Sequence, residues 1–82
     1  MFTVEIDFQT EEEHVHLIKG KFAHVLEAAS FAIDFVRPYV ERCKVADGEW
    51  RVFNTASPEI IERYARIQSI FGMRTDESAT RV

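Results

Sequence analysis

The chain of 82 residues has one cysteine, two prolines and three glycines. A single cysteine, Cys43, excludes an internal disulfide framework, and the plain expectation is a reduced, cytoplasmic protein. No apolar run reaches the length of a membrane span, and no basic-then-apolar leader opens the chain, so no membrane role is expected. Three isolated glycines, Gly20, Gly48 and Gly72, cannot build a phosphate-cradling loop. Cys pairs and helical His-x-x-x-His are also lacking, so no cofactor is expected.

Apolar matter is plentiful. Hydrophobic residues make up 46% and aromatic ones 12%, including seven Phe, enough for one packed domain rather than a disordered chain. The net charge of −4 is unevenly spread: residues 1–13 hold five of the 14 acids and no base, leaving nine acids against ten bases elsewhere. An acidic end on a nearly neutral remainder argues against a general nucleic-acid binder.

Phe2, Val4, Ile6 and Phe8 alternate with Thr3, Glu5, Asp7 and Gln9, the period of a half-buried strand. Thr10 and Glu13 have the spacing of a helix capping box, which would open a short helix over 11–19. The preferred reading is a turn into a second strand, His14 to Lys19, because a lone strand needs a partner. Residues 24–37 predict a helix with His24 at the N-cap position and Glu27, Ser30, Asp34 and Arg37 on one polar stripe. Its apolar arc of roughly 220° is wider than one core contact requires. Ala28, Ala29 and Ala32 would permit close approach.

Pro38 is expected to end that helix, although the spacing of Val36, Val40 and Cys43 allows a kinked continuation to about Lys44. Asp47-Gly48 predicts a two-residue hairpin turn, with Val40, Arg42, Lys44, Arg51 and Phe53 on one face of the hairpin. Ser57, Pro58 and Glu59, with Gly72 beyond, punctuate a second helix. The expected fold is α+β: a two-layer sandwich with an antiparallel sheet of three to four strands and two helices on one face. Its order is ββαββα, or ββαβα if the first helix runs through Pro38. Residues 1–72 form the expected domain and 73–82 a polar tail. The tail ends in Thr80-Arg81-Val82, a form that β-augmentation domains accept but that arises often by chance.

His14 and His16 would point to the same side of a strand, with Val15 and Leu17 inward. A metal there would need further ligands, for which His24 and Cys43 are the weak candidates. Exposed histidines beside carboxylates also suit a pH-sensitive contact, but an ordinary solvated strand explains them as well. Cys43 as a nucleophile, and Glu5 with Asp7 as an acid/base pair, are outweighed by a core thiol and a polar strand face. The surface of Arg42, Lys44, Arg51 and Phe53, with Phe31 on the wide helix arc, is the best candidate for binding a partner.

These features lead to a small non-enzymatic interaction or regulatory protein, a homodimer or the ligand of a protein partner. The charge split, acidic at 5–13 and basic at Arg42, Lys44 and Arg51, gives a second motive for self-association. The alternative is a phage- or plasmid-type inhibitor or adaptor docking on a larger protein. A small-ligand or metal-dependent enzyme ranks third.

Overall fold

A computed structural model describes residues 1–67. The elements run β1 (Phe2–Thr10), β2 (His14–Phe22), α1 (Val25–Arg42), β3 (Val45–Asn54) and β4 (Ser57–Arg66). The strands form one antiparallel sheet in the order β2-β1-β3-β4. This is an α+β fold with one helix among the described residues. The expected tail, its terminal tripeptide and the last part of the expected second helix lie outside them.

The alternation in β1 does what its period requires. Val4, Ile6 and Phe8 are buried on the face that meets α1, while Glu5 and Asp7 face away. The β1–β2 turn is closed by Thr10. Its hydroxyl accepts from the amides of Glu12 (3.2 Å) and Glu13 (3.0 Å), and its own amide donates to the Glu13 carbonyl at 2.8 Å. The Thr10–Glu13 spacing therefore marks a capped turn and not a helix start. His14 and His16 are exposed, and Val15 and Leu17 are half-buried, as the strand reading expects.

Helix α1 begins at His24, whose amide donates to the Glu27 carboxylate at 3.1 Å. Ala28, Ala29, Ala32 and Val36 are buried against Val4, Ile6, Trp50 and Val52. Three alanines let the helix approach β1 and β3 closely, since no large side chain holds the backbones apart. One flank carries a chain of aromatic contacts. Phe22 meets Phe31 at 5.6 Å, Phe31 meets Phe35 at 6.1 Å, Phe35 meets Tyr39 at 5.7 Å, and Tyr39 meets Phe8 edge-on at 5.0 Å. Such pairs add about 0.5–1.5 kcal/mol each beyond their burial.

Three expectations need correction. The helix does not stop at Arg37; it runs through Pro38 to Arg42, and Cys43 caps it with an amide bond to the Tyr39 carbonyl at 2.7 Å. Pro38 deprives only the Asp34 carbonyl of its donor, and Asp34 lies on the exposed side, where water can replace it. The apolar contacts of Val36, Tyr39 and Val40 outweigh that loss.

Asp47-Gly48 is not a turn. Both residues lie inside β3, opposite Gln9 and Phe8, and no glycine among the described residues has a positive φ. Gly48 is there because of space. A Cβ at this position would lie 2.4 Å from Phe8 Cβ and 2.8 Å from Ile67 Cδ1.

The second helix is absent from 57–66, which form β4. The Ser-Pro-Glu punctuation is real but loses to pairing. Helix propensity and (i, i+4) pairs amount to tenths of a kcal/mol per residue. The free edge of β3 instead offers a run of backbone hydrogen bonds, and Ile60, Ile61 and Tyr64 are good strand formers. Thr55 and Ala56 make the turn, with the Ala56 amide donating to Asn54 Oδ1 at 2.9 Å.

The pairing of β1 with β2 slips by one residue between Phe2 and Val4, and Lys21 takes a left-handed φ of 72° at that bulge. Gly20 thus lies inside β2, which runs on to Phe22. Two outcomes follow for stability measured by urea unfolding. Gly48→Ala should cost about 1–3 kcal/mol by overpacking against Phe8 and Ile67. Lys21→Gly should gain about 0.5–1 kcal/mol, because glycine adopts the left-handed region without a Cβ clash.

Candidate functional site

The sheet face opposite α1 carries most of the polar chemistry. Its pleat places Thr3, Glu5, Asp7 and Gln9 of β1 beside His14, His16 and Ile18 of β2. On the other side lie Asp47, Glu49, Arg51 and Phe53 of β3, followed by Ile61, Tyr64 and Arg66 of β4.

Glu5 is the hub. His16 Nε2 lies 2.8 Å from its Oε2, while Arg51 Nε and Nη2 each lie 2.7 Å from its Oε1. The His16 hydrogen bond holds the Glu5 carboxyl below its ordinary value; partial burial opposes this, and Arg51 adds to the lowering. Arg51 also stacks over Phe53, with the guanidinium carbon 5.0 Å from the ring centre.

Asp7 and Glu49 sit directly opposite each other, an unfavourable like-charge pair. Each has a partner on an outer strand. His14 Nε2 meets Asp7, and the Tyr64 hydroxyl donates to Glu49 Oε2 at 2.6 Å. That bond to Glu49 pushes the Tyr64 hydroxyl up from its ordinary value. Arg66 Nη2 donates to Asp47 Oδ1 at 2.9 Å. A hollow of about 270 Å³ remains between Glu5, Asp7, Glu49, Arg51, Ile61 and Tyr64. The carboxylates of this face are all hydrogen-bonded, so it presents paired charge and aromatic surface rather than an isolated reactive group.

The structure distributes the expected site residues differently. His14 and His16 share the open face. His24 caps the helix on the other side of the sheet, and Cys43 is half-buried at the helix end. Among the described residues no group of three or more His, Cys, Asp or Glu is placed to hold a metal ion.

The expected partner face does not assemble as one surface. Arg42 ends α1 and Lys44 lies in the link to β3, because the hairpin that would have aligned them does not form. Arg51 and Phe53 do share the open face. Phe31 belongs to the aromatic chain, with the Lys19 ammonium 5.4 Å from its ring centre. The charge split between acidic and basic segments also loses part of its meaning, since Arg51 is satisfied by Glu5 of the same chain.

Sequence reasoning missed β4 altogether. Read as a helix, it hid a strand whose residues are nearly all exposed: Ile60 at 54%, Ile61 at 47% and Tyr64 at 47%. The signal that could have found it is the β-forming Ile60-Ile61 pair with Tyr64 nearby. On the helix side of the sheet, Leu26 adds a further exposed apolar residue at 69%.

Glu5→Gln should weaken both the His16 and Arg51 contacts and cost about 1–2 kcal/mol at neutral pH. A carboxyl whose folded value is lowered stabilises the fold above its ordinary value of 4.5 and loses that contribution as pH falls through the folded value. The difference in unfolding free energy between wild type and Glu5→Gln should therefore be full at pH 7 and shrink below about pH 4.5. A constant difference down to acid pH would show that Glu5 acts through packing alone.

No helix of the described residues is long and apolar enough to cross a membrane. Comparison with known proteins finds no matching family model, no matching curated protein and no matching solved structure.

Proposed function

We propose that the chain is a small non-enzymatic interaction or regulatory protein that works through protein contacts, self-association included. The observation that supports this reading is β4. It is a ten-residue edge strand that pairs only with β3 among the described strands, and it shows large apolar side chains to solvent. An exposed apolar edge is a liability in a monomer, because its open backbone groups template further pairing. A protein that uses the edge turns that liability into a binding surface. The half-buried free thiol of Cys43 suits a reducing cytoplasmic setting.

A second reading has its own support. Glu11, Glu12 and Glu13 are exposed at the β1–β2 turn and make no side-chain ion pair among the described residues. Such an acidic tip suits an adaptor or inhibitor that docks on a basic patch of a larger protein.

Static light scattering over a range of protein and salt concentrations tests the first reading. A mass of two chains, favoured by rising concentration, is expected. A strict monomer at millimolar protein would remove self-association and leave the adaptor.

A further inference from the structure

We infer that the partner of β4 is the β4 of a second copy, paired antiparallel about a two-fold axis to give one continuous eight-stranded sheet. This rests on the self-associating reading above and specifies its surface and register.

The charge order of the strand carries the inference. Along β4 the acids come first, Glu59 and Glu62, and the bases follow, Arg63 and Arg66. An antiparallel copy lays the acidic half of one strand along the basic half of the other. A parallel copy would set like charges side by side. In the register where paired residue numbers sum to 125, Glu62 lies against the partner copy's position 63. The same register sets Ile61 against position 64. Glu62 then faces a base, and Ile61 faces Tyr64. Glu59, Glu62 and Arg63 make no side-chain ion pair within the described part of the chain, so their charges are open to such contacts.

An unbroken strand could not use this register. A two-fold axis perpendicular to a sheet keeps each side chain on its own face, and side chains alternate with period two. Paired residues must then be an even number apart, whereas 61 and 64 are three apart. β4 is not unbroken. Val52 pairs with Arg63 but the next residue, Phe53, pairs with Ile61, so Glu62 is an extra residue in a bulge. The bulge puts Ile61 on the same face as Tyr64 and Arg66; a second shift, between Phe53 and Asn54, moves the partner from Ile61 to Ser57 and leaves residues 58–60 outside the ladder with β3. With two bulges meeting at the axis, Ile61 and the partner copy's position 64 fall on a common face. Pro58, which has no amide hydrogen, lies in the 58–60 segment that does not pair with β3.

The helix face supports the same arrangement. The two-fold keeps both helices on one side of the joined sheet. The exposed Leu26 of each copy then lies on the same side of the joined sheet.

Charge exchange at the axis tests the register. Glu62→Arg gives a copy with arginine at both 62 and 63, and Arg63→Glu gives one with glutamate at both. Each variant alone should be a monomer by light scattering at concentrations where the wild type is a dimer. Circular dichroism should show both still folded, since both sites are exposed. An equimolar mixture should recover the dimer, because each arginine then faces a glutamate; native mass spectrometry should show it to be the mixed species. Monomers in the mixture would overturn the register. Single variants that remain dimeric would overturn the β4 contact while leaving self-association in place. A wild type that never dimerises would overturn both.

Discussion

A single helix is about 10 Å across, and strands in a sheet lie about 4.8 Å apart, so one helix covers about two strands. This chain sets one helix, α1, against a four-stranded sheet. The helix lies over β1 and β3, where Ala28, Ala29 and Ala32 bring it onto Val4, Ile6, Trp50 and Val52. The outer strands must then be covered by something else or remain open. On the β2 side the chain of Phe22, Phe31, Phe35 and Tyr39 extends the helix sideways. Ile60, Ile61 and Tyr64 of β4, and Leu26 of the helix, are exposed.

That asymmetry separates the two candidate surfaces. The open face is rich in charge, but its charges are matched within the chain: His16 and Arg51 on Glu5, His14 on Asp7, Tyr64 on Glu49, and Arg66 on Asp47. These bonds tie all four strands together and offset the placing of Asp7 opposite Glu49. The edge of β4 has the opposite character. Glu59, Glu62 and Arg63 make no side-chain ion pair among the described residues, and large apolar groups lie beside them. A surface satisfied within the chain stabilises a fold, whereas an unsatisfied one next to apolar area suits a contact with another chain.

Core and edge were not equally legible. Strand β1 followed from strict alternation, its pairing with β2 from the need of a lone strand for a partner, and the side of the strand taken by His14 and His16 followed with it. The helix start at His24 and the close approach of its alanines were also readable. The misreadings share a cause. Asp47-Gly48, Pro38 and Ser57-Pro58 are local punctuation worth a kcal/mol or so. In each case a non-local contact outweighed the local signal: Phe8 over Gly48, the packing of Tyr39 and Val40 beyond Pro38, and the free edge of β3 beside β4.

The sequence by itself determined one α+β domain core, its first hairpin, the buried face of β1 and the helix that covers it. These depend on periodicity within a single element. The tertiary structure decided that residues 57–66 are a strand, that Gly48 serves close packing, and that Arg51 is spent on Glu5 while Glu59, Glu62 and Arg63 of β4 make no side-chain ion pair among the described residues. Each of these depends on which segment lies beside which, and pairing energies between distant strands leave no trace in the local pattern.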